Sequence, residues 1–127
     1  MSRALNDLDP VFRPVAIELI ARCTEAGIPL LIVETLRTPH QHAINLANGV
    51  SWIAHSLHLD GLAIDLCPYR LYDLHGPDKL EWRTEDPVWA VMATIGRQLG
   101  LRCGSDWKQK DCSHYEFVRE NVKQKQV

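Results

Sequence analysis

Ser56-Leu57-His58-Leu59-Asp60-Gly61-Leu62-Ala63-Ile64-Asp65 is the stretch on which the fold turns. From Leu62 the pattern alternates. Leu62, Ile64 and Leu66 fall on one face of a strand, and Ala63, Asp65 and Cys67 fall on the other. Asp65 therefore points away from the aliphatic face, beside an alanine small enough to leave room for an approaching group. A carboxylate set in an apolar strand is costly without a partner. A second short run, Asp111-Cys112-Ser113-His114-Tyr115-Glu116, reads as the counterpart. His114 to Val118 alternates as a final strand, with His114 and Glu116 on one face.

Working outward, residues 1–8 read as a loose arm. A first helix is expected to begin near Asp9-Pro10 or Arg13-Pro14, because proline suits a first helical turn. Phe12, Ala16, Leu19, Ile20 and Cys23 recur at helical spacing, and Gly27 marks a stop. Ile28 to Thr35 is rich in β-branched residues and reads as a buried strand. Thr38-Pro39-His40-Gln41 carries a capping-box pattern, with Thr38 as cap and Gln41 as its partner. It starts a helix running to about Asn48-Gly49. Residues 68–83 read as a loop with a short strand at most. Asp86 caps a third helix whose apolar face is Val88, Met92, Ile95 and Leu99, closed by Gly100. Leu101-Arg102-Cys103 reads as a short strand, and residues 119–127 as a frayed tail. Full strand–helix–strand units are few. The expected fold class is α+β, a small, largely antiparallel sheet packed with about three helices.

The chain has 127 residues, 46% hydrophobic and 24% charged, within the range of one globular domain over 1–127. The net charge of -2 argues against a nucleic-acid binder. No apolar run approaches membrane-spanning length, and Met1 to Asp7 lacks the apolar core of a secretory signal. Cytoplasmic synthesis is expected, with any export needing another protein. The four cysteines, Cys23, Cys67, Cys103 and Cys112, form no C-x-x-C pair and are expected as reduced thiols. Cys112 lies inside the second run, where a thiolate could in principle bind metal, but His114 is the better-spaced ligand.

Catalytic zinc takes three protein ligands and keeps a fourth position open to water. His58, Asp65 and His114 supply two imidazoles and one carboxylate, enough to hold one zinc ion per chain and leave a net positive site. Amide hydrolysis also needs a base near the metal but not bound to it, and Asp111 is the candidate.

Ser-x-His-x-x-Gly-x-Ala-x-Asp at 56–65, followed by Asp-x-x-His at 111–114, resembles the zinc peptidases that cut bacterial cell-wall stem peptides. That group includes D-alanyl-D-alanine carboxypeptidases and dipeptidases and phage L-alanyl-D-glutamate endolysins, and hedgehog signalling domains share its fold. Thr35-Leu36-Arg37-Thr38-Pro39 with Gln41 is similar to the family's Tyr-Arg-Thr segment, and Ser105-Asp106-Trp107-Lys108 also fits. The likeness runs from about Asp9 to Phe117. It implies His58, Asp65 and His114 as zinc ligands, Asp111 as catalytic base, Arg37 as a substrate or transition-state contact, and Ser56 as a polar substrate contact. The aspartate at 111 resembles the endolysin branch. Leu36 departs from the usual tyrosine, and Cys112-Ser113 from the usual proline.

The resemblance implies a zinc-dependent peptidoglycan peptidase, endolysin-type and specific for L-alanyl-D-glutamate. The alternatives are a D,D-carboxypeptidase and a non-catalytic zinc-stabilised wall-binding domain. The expected partner is the peptidoglycan stem peptide. A holin-type helper would release a monomeric enzyme from the cytoplasm to the wall, with no nucleic acid bound and no membrane insertion. His40, His42 and His55 are expected to face solvent. Glu116 is open between orienting His114 and being a solvated strand residue. Trp107 and Tyr115 are expected in the core or the cleft wall.

Overall fold

The strand that carries Asp65 lies inside a sheet rather than at its edge, and the other elements follow from that placement. The computed structural model describes residues 2–49, 56–69 and 80–118. In chain order the elements are α1 (Arg13–Glu25), β1 (Leu30–Glu34), α2 (Pro39–Ala47), β2 (Ala63–Pro68), α3 (Pro87–Gln98), β3 (Arg102–Cys103) and β4 (His114–Glu116). The strands form one sheet in the order β1-β2-β4-β3, with every neighbouring pair antiparallel. Among the described residues this is the expected α+β arrangement of three helices and a small antiparallel sheet. None of the described helices is long and apolar enough to cross a membrane.

Local sequence explains most of the elements. Pro14 occupies the first turn of α1, at the later of the two expected starts. Ala16, Leu19 and Cys23 form its buried stripe and join Ile64, Leu66 and Met92 in the core. Thr38 caps α2 by accepting a hydrogen bond from the Gln41 backbone N–H at 3.1 Å. Asp86 caps α3 in the same way through Val88 N at 2.9 Å. Tyr69 bridges to Leu80, while residues 70–79, including Gly76 and Pro77, and the tail 119–127 lie outside the described residues.

Several expectations need correction. Residues 2–8 are not a loose arm. Ser2 exchanges backbone hydrogen bonds with Leu36 and Thr35, and Leu8 is 2% exposed in the core. The polar composition of this segment hides the fact that the end of β1 offers it unpaired backbone groups. In α3 the buried residues are Trp89, Met92, Ala93 and Gly96, so the helix is turned by about one residue from the expected face. Gly96 permits this, because a Cβ there would lie 2.9 Å from Cys103 Sγ and 3.0 Å from the Tyr115 ring. The capping box is only half formed, since the Gln41 amide donates to Asn45 Oδ1 at 2.9 Å.

Gly61 closes the turn that leads into β2. Its φ is 70°, in the left-handed region, and its carbonyl accepts from Asp9 N at 2.9 Å. A Cβ at Gly61 would meet Asp9 N at 2.9 Å, whereas one at Gly27, which also has positive φ, would meet open space. Gly27→Ala is expected to lose about 1 kcal/mol of stability. Gly61→Ala should lose roughly 2–4 kcal/mol, because strain and collision act together. Denaturant unfolding of the two variants checks this, and equal losses would contradict it.

Candidate metal centre

Three pieces of backbone bring the site together. His58 sits on a short 3-10 turn, Leu57–Asp60, entered through Ser56, whose Oγ accepts from His58 N at 3.2 Å. Asp65 lies in the middle of β2. His114 opens β4, and the antiparallel register sets it directly opposite Asp65. Directly opposed residues hold their side chains within reach of one another.

The outcome is a tight group. Asp65 Oδ1 lies 3.2 Å from His58 Nε2 and 3.2 Å from His114 Nδ1. The two imidazole rings have centroids 5.0 Å apart and planes at 76°. One ligand atom from each of the three residues falls within 4.8 Å of the other two, so the group could hold a metal ion. Both histidines are buried.

The outer nitrogens of the two rings make the metal fit specific. His58 Nδ1 donates to the Thr35 carbonyl at 2.8 Å, and His114 Nε2 donates to Glu116 Oε1 at 2.6 Å. With hydrogens held there, His58 Nε2 and His114 Nδ1 present lone pairs inward, toward one carboxylate oxygen. Lone pairs facing a carboxylate repel it unless a cation lies between them. This is how metal-binding histidines are oriented, with the second ring nitrogen held by a carbonyl or carboxylate. Glu116 is itself held by Arg102, whose Nε donates at 2.6 Å. Of the two readings left open for Glu116, the structure selects the orienting one.

In the metal-free protein a proton on His114 takes the cation's place. Burial disfavours the charged form of His114, but hydrogen bonds to Asp65 and Glu116 outweigh it and raise its pKa to about 9. Burial would by itself raise Asp65, yet its hydrogen bonds with His114 and His58 hold it well below the usual carboxylate range.

Asp111 stands beside the group without joining it. Its Oδ2 lies 4.0 Å from His114 Nδ1, and its side chain is 36% exposed. Burial, and then the negative charge of Asp65, push its pKa up, while the two imidazoles and the Ser113 hydroxyl pull the other way. Its backbone is anchored at Gly104, whose carbonyl accepts from Asp111 N at 3.0 Å. A Cβ at Gly104 would lie 2.1 Å from the Asp111 carbonyl oxygen, so only glycine admits this contact.

Arg37 reaches the group through an intermediary. Its guanidinium pairs with Glu34, NH2 to Oε1 at 2.5 Å, and Glu34 Oε1 is 3.8 Å from His58 Nε2. Arg37 NH1 donates to His42 Nδ1 at 3.1 Å, and the Arg37 backbone N–H donates to the His58 carbonyl at 3.0 Å. His42 is therefore no surface residue. It is 3% exposed, with Nδ1 against the guanidinium, while His40 is exposed as expected. Trp107 packs its half-buried ring 5.0 Å from that of His114, and Tyr115 is wholly in the core. None of the four cysteines is in a disulfide, and Cys112 is not among the clustered ligands. His55 lies outside the described residues. Glu34 escaped the sequence reading because it sits in an apolar run, although one carboxylate within such a run was itself a signal.

Two imidazoles and a carboxylate thus converge on the two central strands of a four-stranded antiparallel sheet, in the number and ligand types that could hold a single metal ion. The family model of phage L-alanyl-D-glutamate peptidases matches residues 1–126, and the chain belongs to that family. It is 38% identical over 96 residues to the L-alanyl-D-glutamate peptidase of Escherichia phage T5, covering 69% of this chain and 66% of that protein. It is 28% identical over 115 residues to the L-alanyl-D-glutamate peptidase of Listeria phage A118, covering 89% of this chain and 39% of the relative. The chain thus spans just under two thirds of the first relative and well under half of the second. Among solved structures, the crystal structure of Serratia marcescens L-Ala D-Glu endopeptidase ChiX matches with a TM-score of 0.68 and 25% identity, over 90% of this chain and 83% of that one.

The His114 environment yields a titration with a definite sign. Its pKa of about 9 in the folded, metal-free protein exceeds the ordinary value of about 6.5. Its contribution to stability is therefore complete below about pH 6.5 and is lost as pH rises through about 9. NMR of the ring protons in metal-free protein should show a midpoint near 9, and Glu116→Gln should move it down. A midpoint near 6.5 in the unaltered protein would contradict the described contacts.

Proposed function

We propose that this protein is a zinc-dependent endopeptidase that hydrolyses the bond between L-alanine and D-glutamate in the peptidoglycan stem peptide. One observation carries the reading. In a chain of this family, His58 and His114 both turn an inner ring nitrogen toward Asp65, with their outer nitrogens held by Thr35 and Glu116. His58, Asp65 and His114 would hold one zinc ion per chain. When bound, zinc would polarise the scissile carbonyl and lower the pKa of a water at its open position.

The chain's own residues carry the remaining steps. Asp111 takes a proton from the attacking water and returns it to the leaving amine. Its place beside the three ligands, 4.0 Å from His114 Nδ1 with its side chain 36% exposed, suits a group that must both accept and release a proton. Arg37 stabilises the negative charge that develops on the carbonyl oxygen. Ser56, expected as a substrate contact, acts in this reading by capping the turn that presents His58. Trp107 shields one side of the His114 ring. The enzyme would act as a monomer on the wall, after a holin-type partner releases it from the cytoplasm where it is made.

Purified peptidoglycan incubated with the zinc-loaded protein should give fragments with a new D-glutamate amino terminus by mass spectrometry. Chelation should abolish cleavage, and Zn²⁺ should restore it. Free D-alanine would instead identify a D,D-carboxypeptidase, and wall binding without cleavage under any metal condition would identify a binding domain. Asp111→Asn should keep its zinc and lose about 10²–10⁴-fold in kcat. Full activity in that variant would remove Asp111 from the base role.

A further inference from the structure

Glu34 is a buried carboxylate, 4% exposed, in a strand otherwise made of aliphatic residues. The β1–β2 register explains how it arrives at the metal group. Leu30 pairs with Pro68, Leu31 with Cys67 and Ile32 with Leu66, but the next pair is Glu34 with Asp65. Val33 is the extra residue of a β-bulge. In an unbroken ladder Glu34 would oppose Ile64 and face the apolar core, because a one-residue shift moves a side chain to the other face. The bulge re-aims it to the face of Asp65, a recurring use of bulges beside functional sites.

Once there, Glu34 grips one edge of the Arg37 guanidinium at two points. Arg37 Nε donates to Oε1 and Oε2 at 3.2 and 3.1 Å, and NH2 donates to Oε1 at 2.5 Å. His42, on α2, takes the remaining edge through NH1 at 3.1 Å. The arginine side chain is only 10% exposed. A two-pronged arginine–carboxylate pair fixes the plane of the guanidinium as well as its position. An unheld arginine would have to surrender its side-chain freedom on meeting substrate.

We propose that Glu34, delivered by the Val33 bulge, is a positioning residue that locks the Arg37 guanidinium beside the His58–Asp65–His114 group before substrate arrives. This rests on the role given to Arg37 under the proposed function. Glu34 does not touch substrate and acts only through Arg37. Its negative charge also offsets the guanidinium, which would otherwise stand unpaired near a divalent cation and oppose its binding.

The test uses the full-length zinc-loaded protein with Glu34→Gln, Arg37→Ala and the double variant. Glu34→Gln nearly preserves shape and should lower kcat about 10–100-fold with KM changed less than about threefold, since preorganisation and not affinity is lost. Zinc content should remain one per chain. The double variant should be no slower than Arg37→Ala alone. Multiplying losses would overturn the proposal. Arg37→Lys keeps the charge but cannot be gripped at two points, and should fall as Glu34→Gln does. Full activity in that variant would also overturn it. NMR gives a readout independent of turnover. The Arg37 Nε–H should be protected from solvent exchange in the unaltered protein and should lose protection in Glu34→Gln. If the protein cleaves no stem peptide yet Nε–H behaves so, the enzymatic reading fails while the Glu34 hold stands. An unprotected Nε–H in the unaltered protein overturns the hold itself.

Discussion

One carboxylate oxygen of Asp65 faces two imidazole nitrogens at 3.2 Å each, and both rings have their hydrogens committed on the far side. Nothing in this arrangement is favourable unless positive charge sits among the three atoms. A proton on His114 supplies it in the metal-free protein, and a single divalent cation could satisfy all three groups at once. The surrounding structure can be understood as the means of keeping three costly polar groups together inside an apolar frame.

The sheet does this strand by strand, in spatial order. β1 and the residue after it contribute Glu34 and the Thr35 carbonyl, β2 contributes Asp65, β4 contributes His114 and Glu116, and β3 contributes Arg102. A continuous polar chain thus crosses the sheet from one edge to the other, from Arg37 through Glu34, His58, Asp65, His114 and Glu116 to Arg102. Its members are held by neighbours whose positions the backbone ladder fixes. Such a network rigidifies a site when it is satisfied and destabilises it when one member is removed. Gly61 and Gly104 serve the same end, because each admits a backbone contact that a Cβ would block, and so sets His58 and Asp111 at their distances.

What was legible in the sequence was chemistry carried by short-range pattern. His58, Asp65 and His114 stood out because ligand-type residues at those spacings sit on a turn and on strands with a period of two. The caps Thr38 and Asp86 were legible for the same reason, since a cap is decided within three residues. The missed features depend on distant partners. The Val33 bulge exists only in the pairing of β1 with β2, so no local pattern could place Glu34 opposite Asp65. His42 looked like a helix-surface residue because its burial depends on where Arg37 points. The face of α3 was misjudged by about one residue because Gly96, which reads as a weak helix position, is where Cys103 and Tyr115 approach most closely. The ordered amino-terminal segment was hidden by its polar composition, since backbone groups of Ser2, and not side chains alone, fasten it.

The central claim is that one cation is shared by these three side chains and by no thiolate, although Cys112 lies within the same loop. X-ray absorption at the zinc edge of protein loaded with one equivalent of Zn²⁺ tests this most directly. The account predicts a first shell of light nitrogen and oxygen atoms that includes two imidazoles. A sulfur atom in that shell, or a shell without imidazole, would contradict it.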